Sequence, residues 1–196
     1  KDAAQLLPSV LGALSELSQG SVTGSKKEHI FEPFGVDGNI PRFLRHTRKL
    51  TFTLPSKAET RALVSEIWSA KDEYDGLRTR SSTLMEYTFA HFLERFGSNT
   101  DMIAEEGYKL FLSLHCYSSD GDVLMFKRVL YGEISEECHF DFECLMAALM
   151  QEIQGTLKDQ DQATIPKADL HSVLGSFFPH MDKTAVGQIK EALDLE

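Results

Sequence analysis

The stretch from Lys158 to Asp169 has the spacing of a calcium-binding EF-hand loop. Such a loop places oxygen ligands at positions 1, 3, 5 and 12, a glycine at position 6 and an aliphatic residue at position 8. With Ile165 at position 8, position 1 is Lys158 and position 6 is Ala163. Because a cation stands where the first carboxylate belongs, we expect an EF-hand-like loop that has lost its ion.

Weak calcium binding stays open as an alternative. Asp159 and Asp161 would supply carboxylates if the register slipped, and Asp169 occupies position 12. These three residues are the only calcium candidates that we identify, and with them the chain would be a low-affinity calcium-responsive adaptor. A second segment, CYSSDGDVLMFK, begins with cysteine and ends with lysine when Gly121 takes position 6. It predicts a helix–turn–helix corner in which Asp122 caps the following helix.

The familiar catalytic motifs are missing from the sequence. It contains no GxSxG elbow, HExxH helix, Walker loop or GxGxxG turn. The histidines that lie within or beside predicted apolar faces favour packed or surface roles; they are His91, His115, His139 and His171. We therefore predict a protein that is not an enzyme and needs no cofactor. A cytosolic enzyme with an unrecognised helical site is a second alternative, because convergent pocket residues leave no local motif.

Charge is distributed unevenly along the 196 residues, whose net charge is −10. Residues 1–80 carry 12 Lys/Arg and 10 Asp/Glu, whereas residues 81–196 carry 8 and 20. An acidic surface disfavours nucleic acid as the main partner. No apolar run approaches the ~20 residues of a membrane span, and no signal-peptide pattern is visible. The sequence thus predicts a cytoplasmic protein without a membrane partner, whose three cysteines are free, buried thiols.

The segment RFLRHTRK concentrates positive charge before the acidic part of the chain. Its cations are Arg42, Arg45, Arg48 and Lys49. Two hypotheses have equal weight: the arm packs against acidic helices of its own chain, or it binds an acidic partner segment.

Helical periodicity and capping signals predict seven helices after residue 55. The clearest begins at Ser56, where Glu59 completes a capping box. The predicted helical segments are 56–75, 81–98, 99–118, 120–133, 135–157, 166–178 and 182–193, with Gly97, Ser135, Pro166 and Asp182 as start or stop signals. Strand-like alternation occurs only in KLTFTLP, and one strand cannot form a sheet. The class is therefore all-α.

Three regions follow from these patterns. Residues 1–29 form a lead-in helix at Ala3–Leu17 and a flexible linker, and residues 30–55 form an extended basic arm. Residues 56–196 form a compact EF-hand-like helical domain, with a subdivision near 132–135 left open.

Four segments carry a resemblance to a known family: LPSKAETRALVSEIWSAK, FLERFGS, AEEGYKLFLSLHCYSSDGDVLMFKRVLYGEISEECHFD and IPKADLHSVLGSFFPHMD. Over roughly residues 50–190 the chain resembles the C-terminal region of the translin-associated factor X-interacting protein family. The resemblance implies a non-enzymatic interaction protein of cilia or sperm cells with degenerate EF-hand-like helices. This sequence departs from the family in having no visible coiled coil.

These observations lead to one functional prediction. The chain is expected to be a protein–protein interaction or scaffold module with inactive EF-hand-like loops. Its partner would be an acidic segment bound by the basic arm, or an amphipathic helix bound in an apolar groove at Phe177 and Phe178.

Overall fold

A computed structural model describes residues 28–76, 82–156 and 165–194. These residues are mostly helical, with a single two-stranded sheet among them, so the all-α prediction is confirmed. The chain divides into two compact units, Lys1–Glu136 (unit 1) and Glu137–Glu196 (unit 2). The predicted helix Ala3–Leu17 lies outside the described residues. None of the helices in the described ranges combines the length and the apolar character that crossing a membrane requires.

The described residues of unit 1 form two strands, one 3₁₀ turn and four helices. In chain order they are β1 (Glu28–Phe31), the 3₁₀ turn (Arg42–Leu44), β2 (Leu50–Thr53), α1 (Lys57–Gly76), α2 (Leu84–Phe96), α3 (Thr100–Cys116) and α4 (Gly121–Leu130). Unit 2 contains three described helices, which are α5 (Glu137–Thr156), α6 (Lys167–Phe177) and α7 (Lys183–Asp194).

The start of α1 has the capping box that the sequence predicts. The Glu59 amide donates to Ser56 Oγ at 3.3 Å, and the Ser56 amide donates to Glu59 Oε2 at 2.7 Å. A second capping box, between Thr83 and Glu86, begins α2 and was not predicted. Gly97 ends α2 with a φ of 61°, a conformation that glycine adopts without steric cost.

The turn between α3 and α4 confirms the helix–turn–helix corner but corrects its cap. The N-cap is Asp120 rather than Asp122, because α4 already begins at Gly121. The Asp120 carboxylate accepts from the amides of Asp122 and Val123, and Lys57 Nζ lies 3.0 Å from it. Burial opposes ionisation, but the hydrogen bonds from Lys57 and Val123 outweigh it, so the pKa of Asp120 lies below its ordinary value.

The prediction that KLTFTLP would remain an unpaired strand is wrong. β2 pairs antiparallel with β1, with Phe31 opposite Leu50 and Glu28 opposite Thr53. The partner strand EHIF is four residues long and follows a Gly/Ser-rich stretch, so its alternation is too short to recognise. Glu28 and His29 therefore belong to a strand rather than to a flexible linker.

Residues 28–55 are an integral part of the unit 1 core rather than an appended arm. Their apolar side chains are buried beside those of α1 to α4; from this segment the core contains Phe31, Ile40, Phe43, Leu44, Leu50 and Phe52. Tyr108 of α3 is fully buried, and its hydroxyl accepts a hydrogen bond from the Phe34 amide at 2.9 Å. Burial raises the pKa of Tyr108 to about 12, so the phenol stays neutral.

Unit 2 has its own small core. Leu149, Val173 and Leu174 are buried, and partly buried side chains surround them: Ile153, Leu170, Phe177, Phe178 and Ile189. The sequence places Pro166 in the first turn of α6, but it is the N-cap, one residue earlier. α5 begins at Glu137, two residues after the predicted cap Ser135. The Asp182 carboxylate accepts from the Thr184 amide at the start of α7, as predicted.

Candidate functional site

The cations of the basic segment contact their own chain. Arg45 donates to the backbone carbonyls of Ile40 at 2.8 Å and Gly38 at 2.9 Å. These two hydrogen bonds brace the turn that precedes the 3₁₀ helix. The Arg42 guanidinium carbon lies 5.9 Å from the centroid of the Phe89 ring on α2. Both arginines therefore have structural roles in unit 1.

The other two cations of this segment form surface ion pairs. Arg48 Nη2 donates to both carboxylate oxygens of Asp101 on α3, at 3.1 and 3.0 Å. Lys49 Nζ lies 2.8 Å from Glu32. These contacts support the hypothesis that the segment packs on its own chain. Arg48 and Lys49 remain largely exposed, and binding of an acidic partner by these cations stays a prediction.

A buried ion cluster in unit 1 centres on Lys71. The Lys71 side chain is almost completely buried; it contacts Asp75 one turn later on α1 and lies 2.8 Å from Glu136 Oε2. Glu136 also accepts from the Leu84 amide at the start of α2. Burial lowers the pKa of Lys71, but the hydrogen bonds to Asp75 and Glu136 outweigh it, so its pKa is raised. The cluster holds the end of unit 1 against α1 and α2.

His91 and His115 of unit 1 each have local contacts of their own. His91 is buried, with Nε2 3.4 Å from Glu66 Oε1. The ring of His115 is 3.5 Å from Lys127 Nζ. Burial and the positive charge of Lys127 lower the pKa of His115, so its ring is neutral at pH 7. Within the described residues, no three His, Cys, Asp or Glu side chains are grouped as metal ligands.

The predicted calcium loop is largely outside the described residues. Asp159 and Asp161 fall between the described ranges 82–156 and 165–194. Asp169 is exposed in the first turn of α6.

The prediction of buried cysteines is wrong. Cys116, Cys138 and Cys144 are free thiols, and all three residues are exposed. Cys116 is the last residue of α3. The other two lie on α5, a helix whose only buried residue is Leu149.

Helix α5 carries an apolar surface that the sequence analysis did not single out. Five large apolar side chains are exposed on α5: Phe140, at 69%, lies on the far side of the helix, and four others share one side, namely Phe142 at 40%, Leu145 at 43%, Met146 at 38% and Met150 at 49%. We call these four residues the α5 strip. Spacings of three and four residues place them along one side of the helix. The strip adjoins Leu149 and Ile153, which pack in the unit 2 core.

The sequence pattern that corresponds to the α5 strip is the apolar run in FDFECLMAALMQEI, which has the spacing of an amphipathic face. Periodicity identifies a face that is apolar, but it does not reveal how much of that face another helix covers. On this face Leu149 is buried and Ile153 is partly buried, whereas the four residues of the α5 strip are exposed.

The charged residues around the α5 strip are acidic. The helix contains Glu137, Asp141, Glu143 and Glu152, all exposed, and its sequence has no lysine or arginine. At about 100° per residue, Asp141 and Glu152 lie to one side of the strip and Glu143 lies to the other. Residues 137–196 carry 11 Asp/Glu and 4 Lys/Arg, a net charge of −7.

The two phenylalanines predicted to contact a partner lie at the end of α6. Phe177 and Phe178 are partly buried against the unit 2 core, and their rings are perpendicular with centroids 4.9 Å apart. Their partial burial places them beside core residues Val173 and Leu174. A role for them in partner binding stays a prediction.

Comparison with known proteins identifies no relative: no protein-family model, curated protein or solved structure matches the chain. The resemblance over residues 50–190 therefore stays a prediction.

Proposed function

We propose that this chain is a non-enzymatic protein–protein interaction module whose contact surface includes the α5 strip. The observation that carries the proposal is the exposure of Phe142, Leu145, Met146 and Met150 along one side of a single helix. Singly exposed apolar residues are common on protein surfaces, but clustered ones rimmed by polar residues are typical of interaction sites. Exposed phenylalanine and methionine side chains are also enriched at protein interfaces.

In this proposal unit 1 serves as the structural support. Its basic segment is braced by Arg45 and by the Arg48–Asp101 pair, and its buried Lys71 is neutralised by two carboxylates. These charged groups serve the fold, so we assign unit 1 a scaffold role. In this proposal the EF-hand-like loop is inactive. The proposed cytoplasmic setting rests on the sequence pattern, and a setting at cilia or in sperm cells rests on the family resemblance.

Site-specific photo-crosslinking in cells tests the proposed function. We expect benzoylphenylalanine at position 146 to give discrete crosslinked adducts, because Met146 lies within the α5 strip. The matched control is position 151, since Gln151 is also exposed on α5 but about 140° around the helix from Met146. Equal yields from the two positions, or no adduct from either, would contradict the proposal.

A further inference from the structure

We infer that the partner segment bound by the α5 strip is a basic amphipathic helix. This inference rests on the proposed function and specifies the chemistry of the partner. It follows from the length of the strip, the kinds of side chains in it, and the charges beside it.

The dimensions of the strip match one face of a helix. From Phe142 to Met150 the helix rises by about 12 Å, or roughly two turns. Partner helices commonly dock through apolar anchors spaced three and four residues apart over a similar length. Two of the four strip residues are methionines, whose flexible side chains adapt to differently shaped apolar anchors. A strip of this composition suits a helix with large aliphatic or aromatic anchors.

The charges beside the strip indicate which charge the partner helix carries. Exposed carboxylates of Asp141, Glu143 and Glu152 stand on both sides of it, and α5 supplies no cation to pair with them. A helix that carries lysine or arginine next to its apolar anchors would place positive charge against these carboxylates. An acidic helix with the same anchors would bring like charges together, which opposes binding.

The acidic residues beside the strip also disfavour a second copy of this chain as its occupant. In a symmetric pair of α5 helices, each strip would face the other, and the acidic residues beside one strip would approach those beside its copy. With four acidic residues and no lysine or arginine on each helix, that arrangement adds repulsion between like charges.

Titration of the full chain with two synthetic helices tests the inference. Both peptides have about 20 residues and the same leucine face, and they differ in having lysine or glutamate on the polar face. Fluorescence anisotropy is expected to show binding of the lysine peptide at least tenfold tighter than the glutamate peptide. The preference should shrink as salt increases, because the charges are exposed.

Two sets of variants assign the binding to the strip. Replacing Leu145 and Met146 together by serine is expected to weaken binding of the lysine peptide about tenfold to a hundredfold. Gln151→Ser is the matched control and should leave binding unchanged. Replacing Asp141, Glu143 and Glu152 by lysine should reverse the preference, so that the glutamate peptide binds more tightly. All these positions are exposed, so a melting curve should confirm an intact fold for each variant.

The outcomes separate this inference from the proposed function. Equal, salt-independent binding of both peptides would overturn the basic-partner inference while keeping the strip as a contact surface. No binding of either peptide, together with crosslinked adducts from position 146, would also overturn the basic-partner inference and keep the strip as a contact surface. Light scattering could instead show that the parent chain is a dimer and that the variant with serine in place of Leu145 and Met146 is a monomer. That result would make a second copy the occupant of the strip and overturn the inference. Absence of both peptide binding and adducts would overturn both proposals.

Discussion

Alanine at position 107 is expected to lower the free energy of unfolding of unit 1 by about 2–3 kcal/mol, because it overpacks a closed contact. Gly107 lies in α3 where the helix meets the 3₁₀ turn. A Cβ atom there would stand 2.3 Å from the Phe43 carbonyl oxygen and 2.9 Å from its ring. A backbone carbonyl cannot rotate aside as a side chain does, so the helix and the turn must separate.

Chemical denaturation followed by tryptophan fluorescence measures this loss. Trp68 is the single tryptophan of the chain; it is buried in unit 1, with its ring 5.6 Å from that of Phe126. Gly121→Ala is the control in the same unit, since a Cβ atom at Gly121 meets nothing within 4 Å. We expect its unfolding free energy to stay within about 0.5 kcal/mol of the parent. Equal stability of the two variants would show that the 3₁₀ turn does not pack against α3 as described.

Lys71→Met is expected to destabilise unit 1 by about 2–3 kcal/mol, because it leaves two carboxylates near each other without their shared cation. Lys71 is 2% exposed, whereas Asp75 and Glu136 are partly exposed, which limits the cost. The pKa of Lys71 is raised above its ordinary value of 10.5. The contribution of the cation is therefore complete at neutral pH and is lost only as the pH rises through that raised pKa.

The control for this change is Lys109→Met. Lys109 also pairs with two carboxylates, Glu105 at 2.7 Å and Glu106 at 2.8 Å, but its side chain is more exposed and both partners lie on its own helix. We expect a loss of about 1 kcal/mol or less, as for surface ion pairs. The comparison uses denaturation at pH 7 with Trp68 as the probe. A Lys71→Met variant as stable as Lys109→Met would contradict a structural role for the buried cluster.

Local signals correctly predict the helices found in the described residues, because each signal involves residues a few positions apart. The capping box of Ser56 and Glu59 and the stop at Gly97 are examples. β1 was missed because its pairing with β2 joins segments separated by about 20 residues. Lys71 shares a face with the buried Val64 and Trp68, but a lysine is ordinarily predicted to be exposed. Its burial depends on Glu136, which is distant in sequence and lies beside it only in the folded structure.

The candidate site was harder to predict than the fold. Phe177 and Phe178 have the composition of an interaction groove, which is why the sequence predicts partner contact there, but both are partly buried against the unit 2 core. The α5 strip has the same apolar composition as a core face, and only the packing of α6 on part of that face distinguishes exposed Leu145 from buried Leu149. The proposed contact surface is defined by which side chains remain uncovered, and periodicity does not encode that.

Thiol footprinting of the unmodified chain tests the central claim, that the α5 side bearing the strip contacts a partner. Cys138 lies one turn before Phe142 on that side, whereas Cys144 lies on another side of α5, and both are exposed. Mass spectrometry would compare the ratio of Cys138 to Cys144 alkylation in intact cells with that of the purified chain. Selective protection of Cys138 in cells, seen as a several-fold drop in this ratio, is the predicted result. An unchanged ratio would show that the strip is uncovered in cells and would contradict the claim.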